Sequence, residues 1–286
     1  MTLLHVIILA VVQGLAELLP VSSSAHVVVA EKLLGLDPAS PPMTLLLVML
    51  HTGTMFAVIV YFWKQWMNTY FSSVAAFQAI AWRVILATIL TAIVGAVIVK
   101  VIEHAALANA DIENLFSHLE FIAPALAVAG VLILWAGLRE KRALPNSSAA
   151  SDQLTSKRVG IIGVVQGLCI PFRGLSRSGA TISTGMLLGI SKTQAEAFSF
   201  ALAVVLTPPV VAREVLRLVH AAHDSGGAAL SSVAALSVVG AVIAFIAGLA
   251  ALKWLSRWLE SGRWYLFGIY CLVAAGIVAL LYSRGY

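Results

Sequence analysis

The pentapeptide Val-Val-Gln-Gly-Leu at residues 11–15 is repeated without change at residues 164–168. In both copies a serine-rich break follows, and after it come three apolar stretches long enough to span a bilayer, which takes about 20 residues each. Because three is an odd number of crossings, the second copy enters the membrane from the opposite side to the first. Paired broken helices in inverted repeats mark a shared site near the middle of the membrane. The repeat therefore predicts two inverted halves whose breaks meet.

The apolar stretches predict an all-α, polytopic membrane helix bundle. Six full spans are expected near residues 43–63, 81–102, 121–138, 195–219, 229–252 and 264–282. Two further apolar regions, 2–34 and 159–190, are interrupted by proline, glycine, serine and charged residues. Irregular backbone at membrane depth needs protein or a water-filled cavity around it, so these regions predict two re-entrant helical pairs. The inverted repeats are assigned to residues 1–138 and 159–286, joined by a polar cytoplasmic linker over residues 139–158.

The composition agrees with a membrane protein and excludes several other classes. Of the 286 residues, 60% are hydrophobic and 11% are charged, and the mean hydropathy is +0.97; soluble domains carry about 25% charged residues. The basic residues do not form a patch with interleaved aromatic residues, so no nucleic-acid partner is expected. The two cysteines, Cys169 and Cys271, lie in apolar stretches and predict neither a disulfide framework nor a thiolate metal site.

Basic residues at the ends of the spans predict the orientation, because cytoplasmic loops carry an excess of lysine and arginine. Ten such residues fall on one side of the membrane and five on the other. The side with ten is therefore assigned to the cytoplasm, which places both termini and the mouth of the first re-entrant pair outside. The ten residues are Lys64, Arg83, Arg139, Lys141, Arg142, Lys157, Arg158, Lys253, Arg257 and Arg263. The five are Lys32, Lys100, Arg213, Arg217 and Arg284.

The first break combines an acid, a proline, a run of serines and a histidine. Gln13 and Glu17 are four residues apart, which places them on one face of a helix. Pro20 stops this half-helix, and serines that follow are good caps for the next one, whose positive end can hold an anion. The residues after Pro20 are Val21, Ser22, Ser23, Ser24, Ala25 and His26. An ionisable side chain inside a membrane indicates function, although Glu17 could also form a purely structural pair with Arg177.

The second break supplies hydroxyl groups and two guanidinium groups ahead of another apolar half-helix. Guanidinium forks and the amides at a helix start suit phosphate oxygens. The polar and small residues of this break are Arg173, Gly174, Ser176, Arg177, Ser178, Gly179 and Thr181. Together the two breaks predict phosphoryl chemistry. His51 lies in a full span and is expected either to line the cavity or to be a histidine satisfied within the bundle, so it is left out of catalysis.

These two breaks resemble the motifs of undecaprenyl-diphosphate phosphatases of the bacitracin-resistance type, and the resemblance covers most of the chain. The first motif is Gln13-x-x-x-Glu17 with PVSSSAH at residues 20–26, and the second is GLSRSGAT at residues 174–181. The resemblance implies hydrolysis of the C55 lipid undecaprenyl diphosphate to undecaprenyl phosphate and inorganic phosphate. That reaction recycles the lipid carrier for cell-wall synthesis and gives bacitracin resistance. It also implies a location in the bacterial plasma (inner) membrane.

The resemblance further implies a divalent cation, Mg²⁺ or Ca²⁺, held by Glu17 and Gln13. The family admits glutamate or glutamine at the first motif position, so Gln13 leaves Glu17 as the one carboxylate of this pair. The family usually has proline before the glycine of the second motif, where this chain has Arg173. Arg173 is expected either to contact phosphate or to face the cytoplasmic headgroups.

With this reaction as the hypothesis, roles are predicted for individual residues of the two breaks. The catalytic residues are Glu17, Ser23, His26 and Arg177, and His26, Ser23 or water attacks the terminal phosphorus. The substrate-binding residues are Ser22, Ser24, Arg173, Gly174, Ser176, Ser178, Gly179 and Thr181. The expected partners are a polyprenyl diphosphate and membrane lipids, and the sequence leaves a homodimer open. The alternative function is a secondary transporter or lipid translocase, because such proteins use the same architecture of inverted repeats.

Overall fold

The structure, a computed structural model, describes residues 2–37, 40–105, 119–142, 153–225 and 228–284, which form ten α-helices. The first five are α1 Leu3–Leu18, α2 Ser23–Leu33, α3 Pro41–Thr69, α4 Val74–Ala105 and α5 Leu119–Arg142. The second five are α6 Ser156–Cys169, α7 Arg177–Leu187, α8 Lys192–Ser225, α9 Ala228–Glu260 and α10 Tyr265–Ser283. Two short helices followed by three long ones occur twice in this order. The predicted all-α class is confirmed.

The predicted spans are confirmed in number and place. Six helices of the described chain are long and apolar enough to cross a membrane. Their limits are Pro42–Thr69, Val74–His104, Leu119–Lys141, Lys192–Leu216, Ala234–Glu260 and Tyr265–Ser283, within one to eight residues of the expected limits. On α4 the exposed side chains recur every four residues at Ile85, Ile89, Ile93, Val97 and Val101. This spacing places them on one helix face, which a bilayer would cover with lipid.

The two interrupted regions each form a pair of short helices, as the sequence predicts. The first pair breaks between Leu18 and Ser23, and the second breaks between Cys169 and Arg177. Helical structure occupies both ends of the predicted linker 139–158, because α5 continues to Arg142 and α6 begins at Ser156. Residues 143–152, the middle of that linker, lie outside the described residues. The exact boundaries of the two repeats stay a prediction.

The two halves interlock through their first helices. Helix α1 packs on α9 of the second half, and α6, its counterpart, packs on α4 of the first half. The glycine of the repeated pentapeptide lies at both contacts. A Cβ atom on Gly14 would come 2.6 Å from Ala247 Cβ, and one on Gly167 would come 2.8 Å from the Thr91 carbonyl oxygen. Small residues allow such close backbone approach between membrane helices. Packing therefore accounts for this part of the repeat.

Contacts between helix ends show which ends share a side of the bundle. Near the start of α5, Glu120 accepts a hydrogen bond from the Tyr282 hydroxyl at the end of α10 (2.8 Å). Near the end of α5, Glu140 pairs with Lys192 at the start of α8 (2.6 Å). The end of α5 and the start of α8 therefore lie together, as the predicted alternation of spans requires. The assignment of that side to the cytoplasm stays a prediction.

Candidate active site

The first break is a tight turn with one unusual backbone conformation. Pro20 follows the end of α1, and Ser22 has φ of +68°, the one positive value found outside glycine in the described chain. Ser22 occupies the capping position of α2, but its side chain makes no capping hydrogen bond there. Its hydroxyl instead lies 3.3 Å from the Ser24 hydroxyl. Ser22 therefore does not cap the amide groups at the start of α2.

The second break is fixed by a glycine and by a serine cap. Gly174 has φ of +112°, and a Cβ atom there would come 2.7 Å from the Ile122 carbonyl oxygen, so only glycine fits. Ser176 caps α7 by accepting a hydrogen bond from the Gly179 amide (3.2 Å). The Ser178 hydroxyl donates to the Leu19 carbonyl oxygen of the first break (3.3 Å). This bond connects the two breaks directly.

A cavity of about 90 Å³ lies between the two breaks. It is lined by residues of both halves, namely Ala16, Glu17, Ser22, Ser23, Ser24, Cys169, Phe172, Leu175, Ser176, Arg177 and Ser178. The prediction that the breaks come together is therefore confirmed by the geometry. The polar part of the lining consists of five serine hydroxyl groups, one carboxylate and one guanidinium group. Such a surface suits a polar, anionic group inside an otherwise apolar bundle.

Glu17 is the centre of the polar contacts in this cavity. Its Oε2 accepts hydrogen bonds from Gln13 Nε2 (3.2 Å) and from the Ser23 hydroxyl. Its Oε1 lies 3.5 Å from Arg177 Nη2. The other guanidinium nitrogen, Nη1, is buried and has no hydrogen-bond partner among the described residues. The cavity thus contains a serine hydroxyl bonded to a carboxylate, and an arginine that pairs with the same carboxylate and has one nitrogen without a partner among the described residues.

His51, which was left out of the residues predicted to act in catalysis, lies next to Glu17. Its Nε2 lies 3.9 Å from Glu17 Oε2. Its Nδ1 lies 2.8 Å from the Leu47 carbonyl oxygen one turn earlier in α3, so Nδ1 donates and Nε2 is directed at the carboxylate. The side chain is held on α3 rather than on a break. A histidine inside an apolar span gives no local signal of the face it occupies.

Several residues expected to bind substrate do not line the cavity. The Thr181 hydroxyl is fully buried, donates to the Arg177 carbonyl oxygen (2.8 Å) and lies 2.6 Å from the Ser199 hydroxyl. A Cβ atom on Gly179 would come 2.6 Å from Ile133 Cδ1, so this glycine serves helix packing. Arg173 interacts electrostatically with the buried Glu31 carboxylate. Gly174 is a turn residue, as described above.

His26 also lies outside the cavity lining. Its Nδ1 is 2.8 Å from the Ser22 carbonyl oxygen and its Nε2 is 2.7 Å from the Tyr270 hydroxyl. Both ring nitrogens therefore have partners within the protein. Of the four residues assigned to catalysis, Glu17, Ser23 and Arg177 line the same cavity, and His26 does not line it.

Comparison with known proteins agrees with the two motifs. The family described as Bacitracin resistance protein BacA matches residues 6–278. This chain belongs to the BacA family. Undecaprenyl-diphosphatase 2 of Acinetobacter baylyi is 56% identical over 98% of both chains. Undecaprenyl-diphosphatase of Desulfosudis oleivorans is 35% identical over 97% of this chain and 98% of its own, and that of Rhodopirellula baltica is 31% identical over 99% of both.

The cation implied by membership of the BacA family can be tested against the residues around Glu17. The described residues contain no group of three or more histidine, cysteine, aspartate or glutamate side chains that could hold a metal ion. Mg²⁺ is commonly held by one or two carboxylates together with substrate phosphate oxygens. Glu17, the Gln13 amide 3.2 Å away and the neighbouring serine hydroxyls fit that arrangement. In this member of the BacA family the substrate would have to complete the site.

Proposed function

We propose that this protein is an undecaprenyl-diphosphatase, which releases inorganic phosphate from undecaprenyl diphosphate and returns undecaprenyl phosphate for cell-wall synthesis. One observation carries the proposal: Ser23, Glu17 and Arg177, drawn from both halves of the chain, meet in one cavity. The family and three relatives with this printed activity support it. Removal of the lipid diphosphate would account for the bacitracin resistance in the description of the family.

The arrangement supports binding of the diphosphate through Arg177 and the start of α2. Nη1 of Arg177 is available to a phosphate oxygen while Nη2 pairs with Glu17. The amides in the first turn of α2 are not capped by Ser22 and lie at the positive end of the helix. Hydrogen bonds from arginine to phosphate are charge-assisted and strong. The cavity would therefore receive the diphosphate, with the isoprenoid chain extending into the bilayer.

Ser23 is the nucleophile that the geometry supports best. Its hydroxyl already donates to Glu17 Oε2, so the carboxylate accepts the proton as Ser23 Oγ forms a bond to the terminal phosphorus. The bond between that phosphorus and the bridging oxygen breaks, and undecaprenyl phosphate leaves with the bonding electron pair. Glu17 passes the first proton to the departing undecaprenyl phosphate and is a carboxylate again. Glu17 then removes a proton from the water that attacks the phosphoserine phosphorus, and it returns this proton to Ser23 Oγ as the bond between that oxygen and phosphorus breaks. Direct attack by water on the diphosphate would use the same carboxylate.

Arg177 and the helix-start amides stabilise negative charge that develops on the transferred phosphoryl group. A divalent cation held by Glu17 and Gln13 would, when bound, neutralise further charge on the phosphate oxygens. His51, with Nε2 3.9 Å from Glu17 Oε2, stabilises the ionised carboxylate when its ring is protonated. The site residues thus supply a nucleophile, a proton acceptor and positive charge.

The location proposed for the protein is the bacterial plasma membrane, where its lipid substrate resides. Six apolar helices and family membership support a multi-pass membrane protein. The excess of basic residues on one side supports the orientation in which both termini and the active-site mouth face outside. That orientation would open the active site to lipid diphosphate on the outer side of the membrane.

The decisive experiment is phosphate release from a C55 lipid diphosphate by protein purified in detergent, measured with and without chelator. Wild type should release phosphate, and Ser23→Ala and Arg177→Ala should lose at least about 100-fold in kcat. Glu140→Ala is the matched control, because it removes a carboxylate from an ion pair outside the cavity. No release by folded wild type would contradict the proposal and favour transport or lipid translocation, the alternative suggested by the architecture.

A second measurement identifies the nucleophile. Rapid quenching with a substrate labelled in the terminal phosphate should trap phosphoserine at Ser23 in wild type. Label on His26 would contradict the assignment to Ser23. Release of phosphate without any trapped label, at every quench time, would favour direct attack by water.

A further inference from the structure

The imidazole of His26 forms a chain of hydrogen bonds between helix α10 and the first break. A carbonyl oxygen can only accept, so Nδ1, 2.8 Å from the Ser22 carbonyl oxygen, carries the hydrogen. Nε2 of the neutral ring is then an acceptor, and the Tyr270 hydroxyl at 2.7 Å donates to it. The chain runs from Tyr270 through His26 to Ser22, and it fixes both the tautomer and the plane of the ring.

The residue at the end of this chain has an unfavourable backbone conformation. Ser22 has φ of +68°, a region that residues with a Cβ atom rarely occupy unless their surroundings hold them there. The next residue is Ser23, whose hydroxyl donates to Glu17. The direction of the Ser23 side chain therefore depends on the conformation of Ser22. The Ser22 carbonyl oxygen also accepts from the His26 amide (3.3 Å), so His26 contacts it twice.

Tyr270 is well suited to a positioning role without contributing to the core. It lies on the exposed face of α10, with 46% of its surface accessible, and it does not line the cavity. Loss of its hydroxyl therefore removes one hydrogen bond and little packing. In a bilayer that face is surrounded by lipid, where water is scarce. A protein group is therefore the main hydrogen-bond partner available to Nε2 of His26.

We propose that Tyr270 and His26 are positioning residues that hold the Ser22 turn in its left-handed conformation and so aim Ser23 at the phosphorus. This inference rests on the proposed function only for its effect on catalysis. Its structural part is that the Tyr270 hydroxyl on α10 stabilises the turn at Ser22, and this part does not depend on which reaction the protein catalyses. The two parts are tested separately.

The first test removes the Tyr270 hydroxyl and measures steady-state kinetics. Hydrogen bonds between membrane helices contribute about 0.6 to 1.7 kcal/mol, so Tyr270→Phe should lower kcat by about 3- to 18-fold. KM should change little, because Arg177 and the amides at the start of α2 hold the diphosphate, whereas the side chains of Tyr270 and His26 do not line the cavity. Tyr282→Phe is the matched control, since it removes a hydroxyl from the same helix that contacts Glu120 instead. An equal loss in both variants would overturn the proposal.

The second test asks whether glycine at position 22 removes the need for the hydrogen bonds from Tyr270 through His26 to residue 22. Glycine adopts positive φ without the steric cost that serine bears. In a Ser22→Gly background, Tyr270→Phe and His26→Asn should each lower kcat by less than twofold relative to Ser22→Gly alone. A catalytic role for His26 would give the same large loss in both backgrounds, and that result would contradict a positioning role.

Hydrogen exchange measured by mass spectrometry tests the structural content without any substrate. Peptides covering residues 18–26 should exchange faster in Tyr270→Phe than in wild type, and the difference should be absent in Tyr282→Phe. If wild type released no phosphate but exchange rose as expected, the proposed function would fail while this inference stood. Unchanged exchange in Tyr270→Phe would refute the inference whatever the activity.

Discussion

The Glu17 carboxylate and the Arg177 guanidinium group lie 3.5 Å apart although 160 residues separate them in the chain. Glu17 lies just before the break of the first half, and Arg177 lies just after the break of the second half. The pair therefore forms only when the two breaks lie at the same depth in the bundle. An isolated charge at that depth is costly, and each member reduces the cost of the other. The polar site is therefore a part of the assembly of the two halves as well as the place of the proposed reaction.

Replacement of the Glu17 carboxylate tests its role as proton acceptor. Glu17→Gln keeps the shape and a hydrogen-bond acceptor for Ser23 but removes the charge and the basicity. We expect kcat to fall by about 10²- to 10⁴-fold, the range for loss of a general base. Phosphate release from the C55 lipid diphosphate measures this, and Glu140→Gln, outside the cavity, should stay within twofold of wild type. Activity near the wild-type level in Glu17→Gln would exclude this role.

His51 provides a test that the sequence alone would not have suggested. His51→Asn retains an amide donor for the Leu47 carbonyl oxygen but removes the nitrogen directed at Glu17. The imidazole stabilises the carboxylate only in its protonated form, and a full charge near 4 Å contributes about 1 kcal/mol in water, so kcat should fall by up to about fivefold. His104→Asn, at an exposed position near the end of α4, is the control and should be unaffected. Equal activities in the two variants would remove His51 from the site.

The motifs predicted which breaks meet, but they did not predict the direction of every side chain. Glu17, Ser23 and Arg177 were expected in one place because paired breaks in inverted halves face each other. Thr181 lies in the second motif and yet does not line the cavity, because it is one turn further along α7 and its hydroxyl bonds to the Arg177 carbonyl oxygen and contacts Ser199. Tyr270 lies in an apolar span. The contacts of His51 with Glu17 and of Tyr270 with His26 depend on the rotation of α3 and α10 about their axes. That rotation is set by tertiary packing and cannot be read from the local sequence.

The repeated glycines predict a matched effect on stability in the two halves. Alanine at Gly14 would bring its Cβ atom within 2.8 Å of the Ala244 carbonyl oxygen, and backbone cannot yield as a flexible side chain does. Overpacking of this kind costs about 1 to 3 kcal/mol, and Gly167→Ala meets the Thr91 carbonyl oxygen in the same way. Both variants should unfold at lower temperature in detergent. Gly276→Ala is the control, because no atom lies within 4 Å of the added Cβ, and it should not lower the unfolding temperature.

A second carboxylate beside Glu17 tests the proposed cation site. Gln13 is buried and its Nε2 lies 3.2 Å from Glu17 Oε2, so Gln13→Glu would place a second carboxylate next to the one that lines the cavity. Like charges repel at this distance unless a cation lies between them. Gln13→Glu should therefore lower the Mg²⁺ concentration for half-maximal phosphate release by about tenfold, and it should be less active than wild type in chelator. Gln65→Glu adds a carboxylate at a half-buried position on α3, where Gln65 contacts the Thr193 carbonyl oxygen and does not line the cavity, and it should leave the Mg²⁺ titration unchanged. If the titration of Gln13→Glu matched that of wild type, Gln13 and Glu17 would not be cation ligands, and the charge on the phosphoryl group would have to be neutralised by Arg177 and the helix-start amides alone.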